Sequence, residues 1–161
     1  AYPVSFRRWA LRPDSGGAGT QRGGLGAIYE IEVLAVGAEG FFFGERGRHA
    51  PQPVGDGLPA ALNQFSYRTN RNADTPAQTP PMTSKQVGIR LQRGGFVCLK
   101  TPGGGGYGTP LKGDPKLVAD DLRLGYISAE AAREVYGVVM KADGNIDIAA
   151  TKARRAIEDG P

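Results

Sequence analysis

The chain has 161 residues and a mass of 17.0 kDa, which suits one domain that buries about two thirds of its unfolded surface. No apolar stretch approaches the roughly 20 residues that a membrane-spanning helix needs. The net charge of +4 permits attraction to anions without requiring a nucleic-acid partner, and the single cysteine, Cys98, excludes an intrachain disulfide.

Glycine and proline are unusually frequent, with 25 and 12 residues against averages of about 7% and 5%. Because the hydrophobic fraction of 40% is too high for a disordered chain, we expect a loop-rich β fold with ordered turns. The first residues show neither a signal peptide nor an initiator methionine, which indicates methionine removal or a piece of a longer chain. A reducing, cytoplasmic location is the simplest expectation for this cysteine content.

Alternating apolar residues predict six strands, at residues 2–12, 25–35, 41–43, 61–67, 84–91 and 95–100. The glycines at 37–40 predict that the second and third strands form a hairpin. Arg93-Gly94 predicts the same for the fifth and sixth strands. Prolines and glycines across residues 44–83 predict loops, with a mobile polar stretch over 70–82.

Helix signals dominate the last third of the chain. Asp114 at an N-cap, Pro115 at N1 and Gly125 past the end predict a helix over about 115–124. Ser128 predicts the cap of a second helix, whose apolar positions are Ala132, Val135, Tyr136 and Val139. A third helix ending near Gly160 is predicted from the stripe Ala149, Ala153, Ala156 and Ile157.

The predicted fold class is therefore α+β, a Gly/Pro-rich antiparallel β region followed by a C-terminal helical segment. We expect the β-rich, loop-rich region to cover residues 1–110. The helical segment, residues 111–161, is expected to pack on it within a single domain.

Gly103, Gly105 and Gly108 satisfy the spacing of a dinucleotide-binding loop. Such a loop needs a helix to open at the turn, so that its N-terminal amides meet the pyrophosphate. Here Pro110 intervenes, and the first helix signal is Asp114. A tight loop, in which glycines let the backbone approach another backbone or a ligand, is the favoured interpretation.

Other chemical groups carry little functional signal. His49 is the sole histidine, so a metal site made by this chain alone is not predicted, and His49 is interpreted as a solvated loop residue. Cys98 is interpreted as a small buried thiol. Asp120 and Asp121 point in different directions on a helix, so they are interpreted as solvated carboxylates and not as an acid/base pair. Two Arg-Gly-Gly elements leave RNA binding as a disfavoured alternative.

Residues 12–17 form a second candidate site. Arg12 and Asp14 would orient a substrate or a neighbouring catalytic group, and successive glycine amides would form an anion nest. The alternative is an Asp-anchored turn with a structurally paired arginine, which explains every residue and is slightly favoured.

Three segments resemble one protein family, hydantoinase B/5-oxoprolinase. Residues 11–19 with 22–26 resemble the motif near the start of that family's C-terminal portion. Residues 101–108 resemble its second signature, and residues 128–139 resemble the helix that follows. The three motifs follow the family's order with compatible spacing, and together they cover nearly the whole chain. One departure is Thr109, which stands where an acidic residue is expected.

The resemblance implies a C-terminal part or small subunit of an ATP-dependent cyclic-amide hydrolase, which braces or completes the active site of a larger subunit. The implied partners are the remainder of a hydantoinase B-like subunit and a hydantoinase A-like ATPase subunit, with no nucleic acid and no membrane. ATP and a divalent metal are expected on those other chains, no cofactor or metal on this one, and the isolated chain is expected to be inactive. A related carboxylase of the acetophenone carboxylase type, or a purely structural assembly module, is the alternative.

No catalytic residue is assigned from the sequence. The residues predicted to face substrate or a subunit interface are Arg12, Asp14, Ser15, Gly16, Gly17, Gly103, Gly104, Gly105, Gly106 and Tyr107.

Overall fold

A computed structural model describes residues 2–158. Its strands are β1 (Val4–Leu11), β2 (Ala27–Val33), β3 (Ala38–Phe43), β4 (Gln64–Arg68), β5 (Lys85–Leu91) and β6 (Phe96–Lys100). A short 3-10 helix (Pro110–Lys112) precedes α1 (Pro115–Arg123), α2 (Ala129–Glu134) and α3 (Ile148–Glu158). The predicted α+β class, with strands first and helices last, is confirmed.

The chain forms two compact units that alternate along the sequence. The β unit contains residues up to 12, 26–50 and 62–102, and the helical unit contains 13–25, 51–61 and the residues from 103 on. The division at residue 110 within one domain stays a prediction.

The β unit contains two antiparallel sheets. Four strands form one sheet in the order β1-β2-β6-β4, and β3 pairs with β5 in a two-stranded ribbon. Both predicted hairpins are therefore wrong, since β2 pairs with β1 and β6, and β5 and β6 lie in different sheets. The turn at Arg93-Gly94 is present, with Gly94 at φ +80°. The turn residues predict where the chain reverses direction. Which strands pair depends instead on the burial of apolar residues that are distant in the sequence.

A single apolar cluster joins the sheet and the ribbon. Alternate residues of each strand point to one face, so β2, β4 and β6 direct one set of side chains towards the ribbon. Phe42 of the ribbon stacks on Phe65 of β4, with ring centroids 4.7 Å apart. The buried members are Val33, Phe42, Phe65, Tyr67, Ile89 and Leu91.

The helical unit has its own core, and its first two helices begin where the sequence predicts. The Asp114 carboxylate accepts from the amide of Lys116 at 2.8 Å, and Ser128 Oγ accepts from that of Ala131 at 3.0 Å. α2 ends at Glu134, earlier than predicted, and Gly137 follows at φ +63°. The core consists of Ala18, Val118, Ile127, Ala132, Tyr136 and Val138.

α3 buries the face opposite to the predicted one. Its predicted apolar stripe, Ala149, Ala153, Ala156 and Ile157, is exposed. Thr151 is buried instead, and its hydroxyl accepts from the Val139 amide at 3.0 Å. Arg155 donates to the carbonyls of Tyr136 and Gly113 at 3.0 and 2.9 Å. The polar face thus lies inward because it satisfies backbone groups of the preceding turns; the predicted end near Gly160 lies outside the described residues.

None of the helices within residues 2–158 is both long and apolar enough to cross a bilayer.

Candidate functional site

The two glycine motifs meet in the helical unit. Residues 13–25, 51–61 and 103–108, hereafter the glycine core, exchange backbone hydrogen bonds. Gly17 N donates to Gly104 O at 2.9 Å, and Gly104 N donates to Gly24 O at 2.9 Å. The third segment joins them, since Leu58 N donates to Ala18 O at 2.7 Å and Gly106 N to Leu58 O at 3.0 Å. Sequence reasoning predicted the two motifs but not their contact.

Close backbone approach explains most glycines of the glycine core. A Cβ on Gly17 would lie 2.1 Å from Leu58 O, and a Cβ on Gly106 would lie 2.0 Å from Ala18 O. The corresponding distance for Gly105 is 2.1 Å to Gln52 O. Gly16 and Gly103 are equally restricted, each with a backbone oxygen at 2.3 Å. The glycines are therefore required by steric contact between segments.

Many amides of the glycine core already have acceptors. The amides of Gly17, Gly23, Gly104, Gly106 and Gly108 each donate to a backbone carbonyl at 2.9–3.0 Å. An anion nest needs successive amides that point at the ligand without another acceptor. These five amides do not fit a bound phosphate group, and no step through ATP is assigned to them.

Arg12 lies in the β unit, where its guanidinium binds the backbone. It donates to the carbonyls of Leu62, Lys100 and Thr101 at 2.8, 3.2 and 3.0 Å. Burial lowers its pKa from the ordinary value. These contacts tie three strand ends together; a role of Arg12 towards substrate stays a prediction.

Asp14 and Ser15 are held in the turn that begins the glycine core. Asp14 adopts φ +56°, and its carboxylate accepts from the amide of Ser128 at 2.8 Å. Asp14 thereby fixes the residue that caps α2. Ser15 is 0% exposed, and its carbonyl accepts from Ala61 N at 3.0 Å. Both residues hold the turn, in line with the turn interpretation.

The side chain of Tyr107 projects outward from the glycine core. Its backbone exchanges two hydrogen bonds with Gln21, at 3.1 and 3.0 Å, and its side chain is 60% exposed. The glycine core thus presents a phenol from a fixed backbone. A contact of this phenol with substrate or a partner stays a prediction.

Arg22 and Asp121 form an ion pair that sequence reasoning missed. Arg22 Nε and Nη2 donate to the two carboxylate oxygens at 2.6 and 3.1 Å, across 99 residues of sequence. Arg22 Nη1 donates to Gly23 O at 2.7 Å, so the pair connects α1 to the glycine core. The hydrogen bond that Arg22 donates to Asp121 raises the pKa of Arg22. The predicted solvation of Asp121 is therefore wrong, whereas Asp120 is exposed and bonds Arg123 at 3.1 Å.

A buried phenol lies beside this ion pair. Tyr136 is 4% exposed, and burial raises its pKa to about 12. The phenol therefore stays neutral at ordinary pH and acts as a core residue.

The remaining candidates have ordinary surroundings. His49 lies exposed in a loop, as predicted. Within residues 2–158, no three His, Cys, Asp or Glu side chains lie close enough to hold a metal ion. A cavity of about 750 Å³ beside α1, lined by residues such as Lys116, Met140 and Asn145, contains none of the predicted site residues.

Cys98 is buried, as predicted, and provides a direct test of the β unit. Burial raises the pKa of its thiol, and the Glu30 carboxylate raises it further. Because the thiolate is the reactive form, we expect Ellman's reagent to modify Cys98 in the native chain at least about tenfold more slowly than in urea. Equal rates in the native and unfolded chains would contradict the buried, protonated thiol.

Comparisons with known proteins agree on one family. A family model described as Hydantoinase B/oxoprolinase matches residues 1–110. The chain is 38% identical to the beta subunit of caprolactamase from Pseudomonas jessenii, over 97% of its own length and 26% of that relative. It is 34% identical to the B subunit of a putative D-/L-hydantoinase from Pseudomonas sp. (strain NS671), with the same coverage.

Two solved structures share the fold. The crystal structure of ATP-dependent caprolactamase from P. jessenii superposes with a TM-score of 0.80 at 36% identity, over 96% of this chain and 26% of that one. A nucleotide-free acetone carboxylase structure superposes with a TM-score of 0.77 at 28% identity, over 98% of this chain and 25% of that one. The chain thus spans about a quarter of the length of the relatives that it matches.

Proposed function

Because the chain belongs to the hydantoinase B/oxoprolinase family, we propose that it is part of an ATP-dependent cyclic-amide hydrolase of the hydantoinase or oxoprolinase type. Within that enzyme it braces or completes the active site of a larger subunit. The observation that carries this proposal is the 38% identity to the beta subunit of caprolactamase over 97% of the chain. The solved structure of an ATP-dependent caprolactamase also shares the fold.

The proposed enzyme needs other chains. We assign ATP and the divalent metal to the remainder of a hydantoinase B-like subunit and to a hydantoinase A-like ATPase subunit, in the cytoplasm. One observation supports the placement of ATP: the amides of Gly17, Gly23, Gly104, Gly106 and Gly108 already donate to backbone carbonyls. The isolated chain is accordingly proposed to be inactive.

ATP, when bound in the complex, would convert the resonance-stabilised amide oxygen into a leaving group. The contribution of this chain is positional. Its glycine core holds the Tyr107 backbone on both sides, so the phenol can orient a substrate or a neighbouring catalytic group without losing much conformational freedom.

A carboxylase complex is the second candidate, because acetone carboxylase shares the fold with a TM-score of 0.77. The two candidates differ in what ATP cleavage is coupled to. The purified complex is supplied with ATP and either a cyclic amide or a ketone with labelled bicarbonate. A hydrolase consumes the cyclic amide in step with ATP, whereas a carboxylase consumes the ketone and the bicarbonate.

Variants of Tyr107 and Asp14 separate a catalytic contribution from pure assembly. In the assembled enzyme, Tyr107→Ala is expected to lower turnover of the cyclic amide at least about tenfold with the complex intact, because an orienting contact is lost. Leu117→Ala, at a 54% exposed position of α1, is the matched control and is expected to keep full turnover. Size-exclusion chromatography and ATP-coupled hydrolysis are measured on the same preparations.

The opposite pattern supports an assembly module. If Tyr107→Ala keeps full turnover and Asp14→Ala removes only the association with the larger subunit, the positional role is contradicted. A native complex that contains neither a hydantoinase B-like polypeptide nor an ATPase subunit contradicts the proposed enzyme altogether.

A further inference from the structure

The two layers of the β unit do not match in width. The main sheet has four strands, whereas the ribbon that packs on it has two. Side chains of β2 and β4 beneath the ribbon are buried, with Val33 at 4% and Phe65 at 8% exposure. On β1, by contrast, Phe6, Trp9 and Leu11 are 53%, 69% and 52% exposed.

Strand register shows that these residues lie on the face that carries the core. Phe6 lies opposite Ile31 and Trp9 opposite Tyr29, and residues 29, 31 and 33 of β2 point to one side. Val33 belongs to the buried cluster, so Phe6 and Trp9 lie on the same face of the sheet. The ribbon therefore leaves the β1 half of an apolar face uncovered.

The uncovered half is an ordered aromatic surface. The Trp9 ring lies 5.4 Å from the Phe6 ring and 4.7 Å, edge to face, from the Tyr29 ring. Such pairs hold their geometry before a partner arrives, and this lowers the entropic cost of binding. We name this surface, formed by Phe6, Trp9, Leu11 and Tyr29, the aromatic face.

The other side of the same two strands carries ion pairs besides the buried Ile28. Arg7 pairs with Glu32, and Arg8 lies 4.0 Å from Glu30. Ion pairs of this kind suit contact with water. On the aromatic face, by contrast, Phe6, Trp9 and Leu11 are more than half exposed, without a covering layer among the described residues.

An apolar cavity between the sheet and the ribbon includes Ile31, the residue opposite Phe6 of the aromatic face. Its volume is about 340 Å³, and its lining includes Val4 and Ile31 of the first two strands and Val97 and Leu99 of β6. A space of this size and polarity accepts apolar side chains from an added segment.

The outer edge of β1 offers main-chain hydrogen bonds as well. Within the described residues β1 pairs with β2 alone, so its second edge is unpaired. The opposite edge of the sheet is partly covered, because Tyr67 of β4 exchanges hydrogen bonds of 2.9 and 2.8 Å with Gln78. An exposed strand edge beside an apolar face is a site for strand addition or sheet packing.

A hydantoinase B-type subunit is about four times as long as this chain, and the chain matches one quarter of it, hereafter the matched quarter. We propose that the aromatic face and the β1 edge are the docking surface for the part of such a subunit that lies outside the matched quarter. The inference rests on the proposed function. Relatives of this chain carry about three quarters of their length beyond the matched region, and an apolar segment of that length is the occupant whose chemistry fits the aromatic face. The partner segment is extended, presents apolar side chains to Trp9 and widens the second layer over β1 and β2.

A photo-crosslinker at position 9 tests the contact. The chain carrying p-benzoylphenylalanine in place of Trp9 is expressed in its own host, and crosslinked peptides of the purified complex are sequenced by mass spectrometry. We expect crosslinks to a hydantoinase B-type polypeptide, in its region outside the matched quarter. Position 43 is the control, because Phe43 is 78% exposed and belongs to the ribbon; at least about tenfold less crosslinking is expected there.

A second measurement uses affinity. Trp9→Ser is expected to weaken association with the larger subunit at least about tenfold, and Phe43→Ser to leave it unchanged.

Three outcomes count against the docking surface. Crosslinks from position 9 to a second copy of this chain or to another class of protein overturn it. A complex that hydrolyses a cyclic amide with position 9 uncrosslinked overturns it as well but leaves the proposed function standing. Absence of any hydantoinase B-type polypeptide from the complex overturns both.

Discussion

Replacement of Gly23 by alanine is expected to destabilise the helical unit by about 4 kcal/mol, a large part of the stability of an ordinary domain. The added Cβ would lie 2.0 Å from Gly104 O and 2.6 Å from both Gly104 C and Gly105 O. All three atoms belong to backbone, so no side chain can rotate away. Relief requires the two glycine segments to separate, and this breaks the hydrogen bond of 2.9 Å from Gly17 N to Gly104 O.

The neighbouring glycine provides a matched control. A Cβ on Gly24 meets no atom within 4 Å, so Gly24→Ala is expected to change the free energy of unfolding by less than about 0.5 kcal/mol. Composition and charge are the same in the two variants, and the two positions are adjacent in the chain. Their difference therefore measures steric contact alone.

Two optical probes assign the loss to one unit. All three α-helices belong to the helical unit, so helical circular dichroism in a urea titration follows that unit. Trp9, the sole tryptophan, belongs to the β unit, and its fluorescence follows that unit. Gly23→Ala is expected to lower the urea midpoint of the helical signal; equal midpoints for the two alanine variants would contradict the tight backbone contact.

The sequence predicted the elements better than their partners. Alternation and capping depend on neighbours in the sequence, and so the bounds of β1, β6 and α1 were close to those observed. Pairing depends on distant residues. β6 lies between β2 and β4 because Val97 and Leu99 pack against the apolar cluster there, and no property of the Arg93-Gly94 turn encodes that choice.

The same distinction applies to the candidate site. The glycine motifs were visible as composition, and their close approach is what glycine permits. Gly103 and Ser15 meet across a long stretch of sequence, with a hypothetical Cβ of Gly103 at 2.3 Å from Ser15 O. The amphipathic pattern of α3 was misleading because Thr151 and Arg155 make specific hydrogen bonds that outweigh the burial of small alanines.

The Arg22–Asp121 ion pair is expected to contribute through coupling between its two side chains. Both are mostly buried, with 19% and 21% of the side chain exposed. Arg22→Met leaves a carboxylate without its cation, and Asp121→Leu leaves a guanidinium without its anion. Each single variant is expected to lower the free energy of unfolding by about 2 kcal/mol, less than for a fully buried pair because residual solvent screens the charge.

The double variant tests the pairing. Arg22→Met with Asp121→Leu removes both charges, so its cost is expected to fall short of the sum of the single costs by about 1 to 2 kcal/mol. The exposed pair of Arg123 with Asp120 on the same helix is the control, with side-chain exposures of 71% and 58% and an expected coupling of roughly 0.3 kcal/mol. Equal coupling in the two pairs would contradict the role of burial.

The ion pair also has a consequence for the glycine core, and hydrogen exchange can detect it. Arg22 Nη1 donates to Gly23 O, and Gly23 N donates to Gly17 O at 2.9 Å, so loss of the guanidinium loosens the segment that carries Gly23. Arg22→Met is expected to speed amide exchange at Gly23 at least about tenfold, whereas Arg123→Met is expected to leave it unchanged. If Asp121→Leu speeds exchange at Gly23 as Arg22→Met does, the carboxylate acts by holding Arg22 on the Gly23 carbonyl. If only Arg22→Met does so, the guanidinium holds Gly23 without help from α1, and the proposed connection between α1 and the glycine core is contradicted.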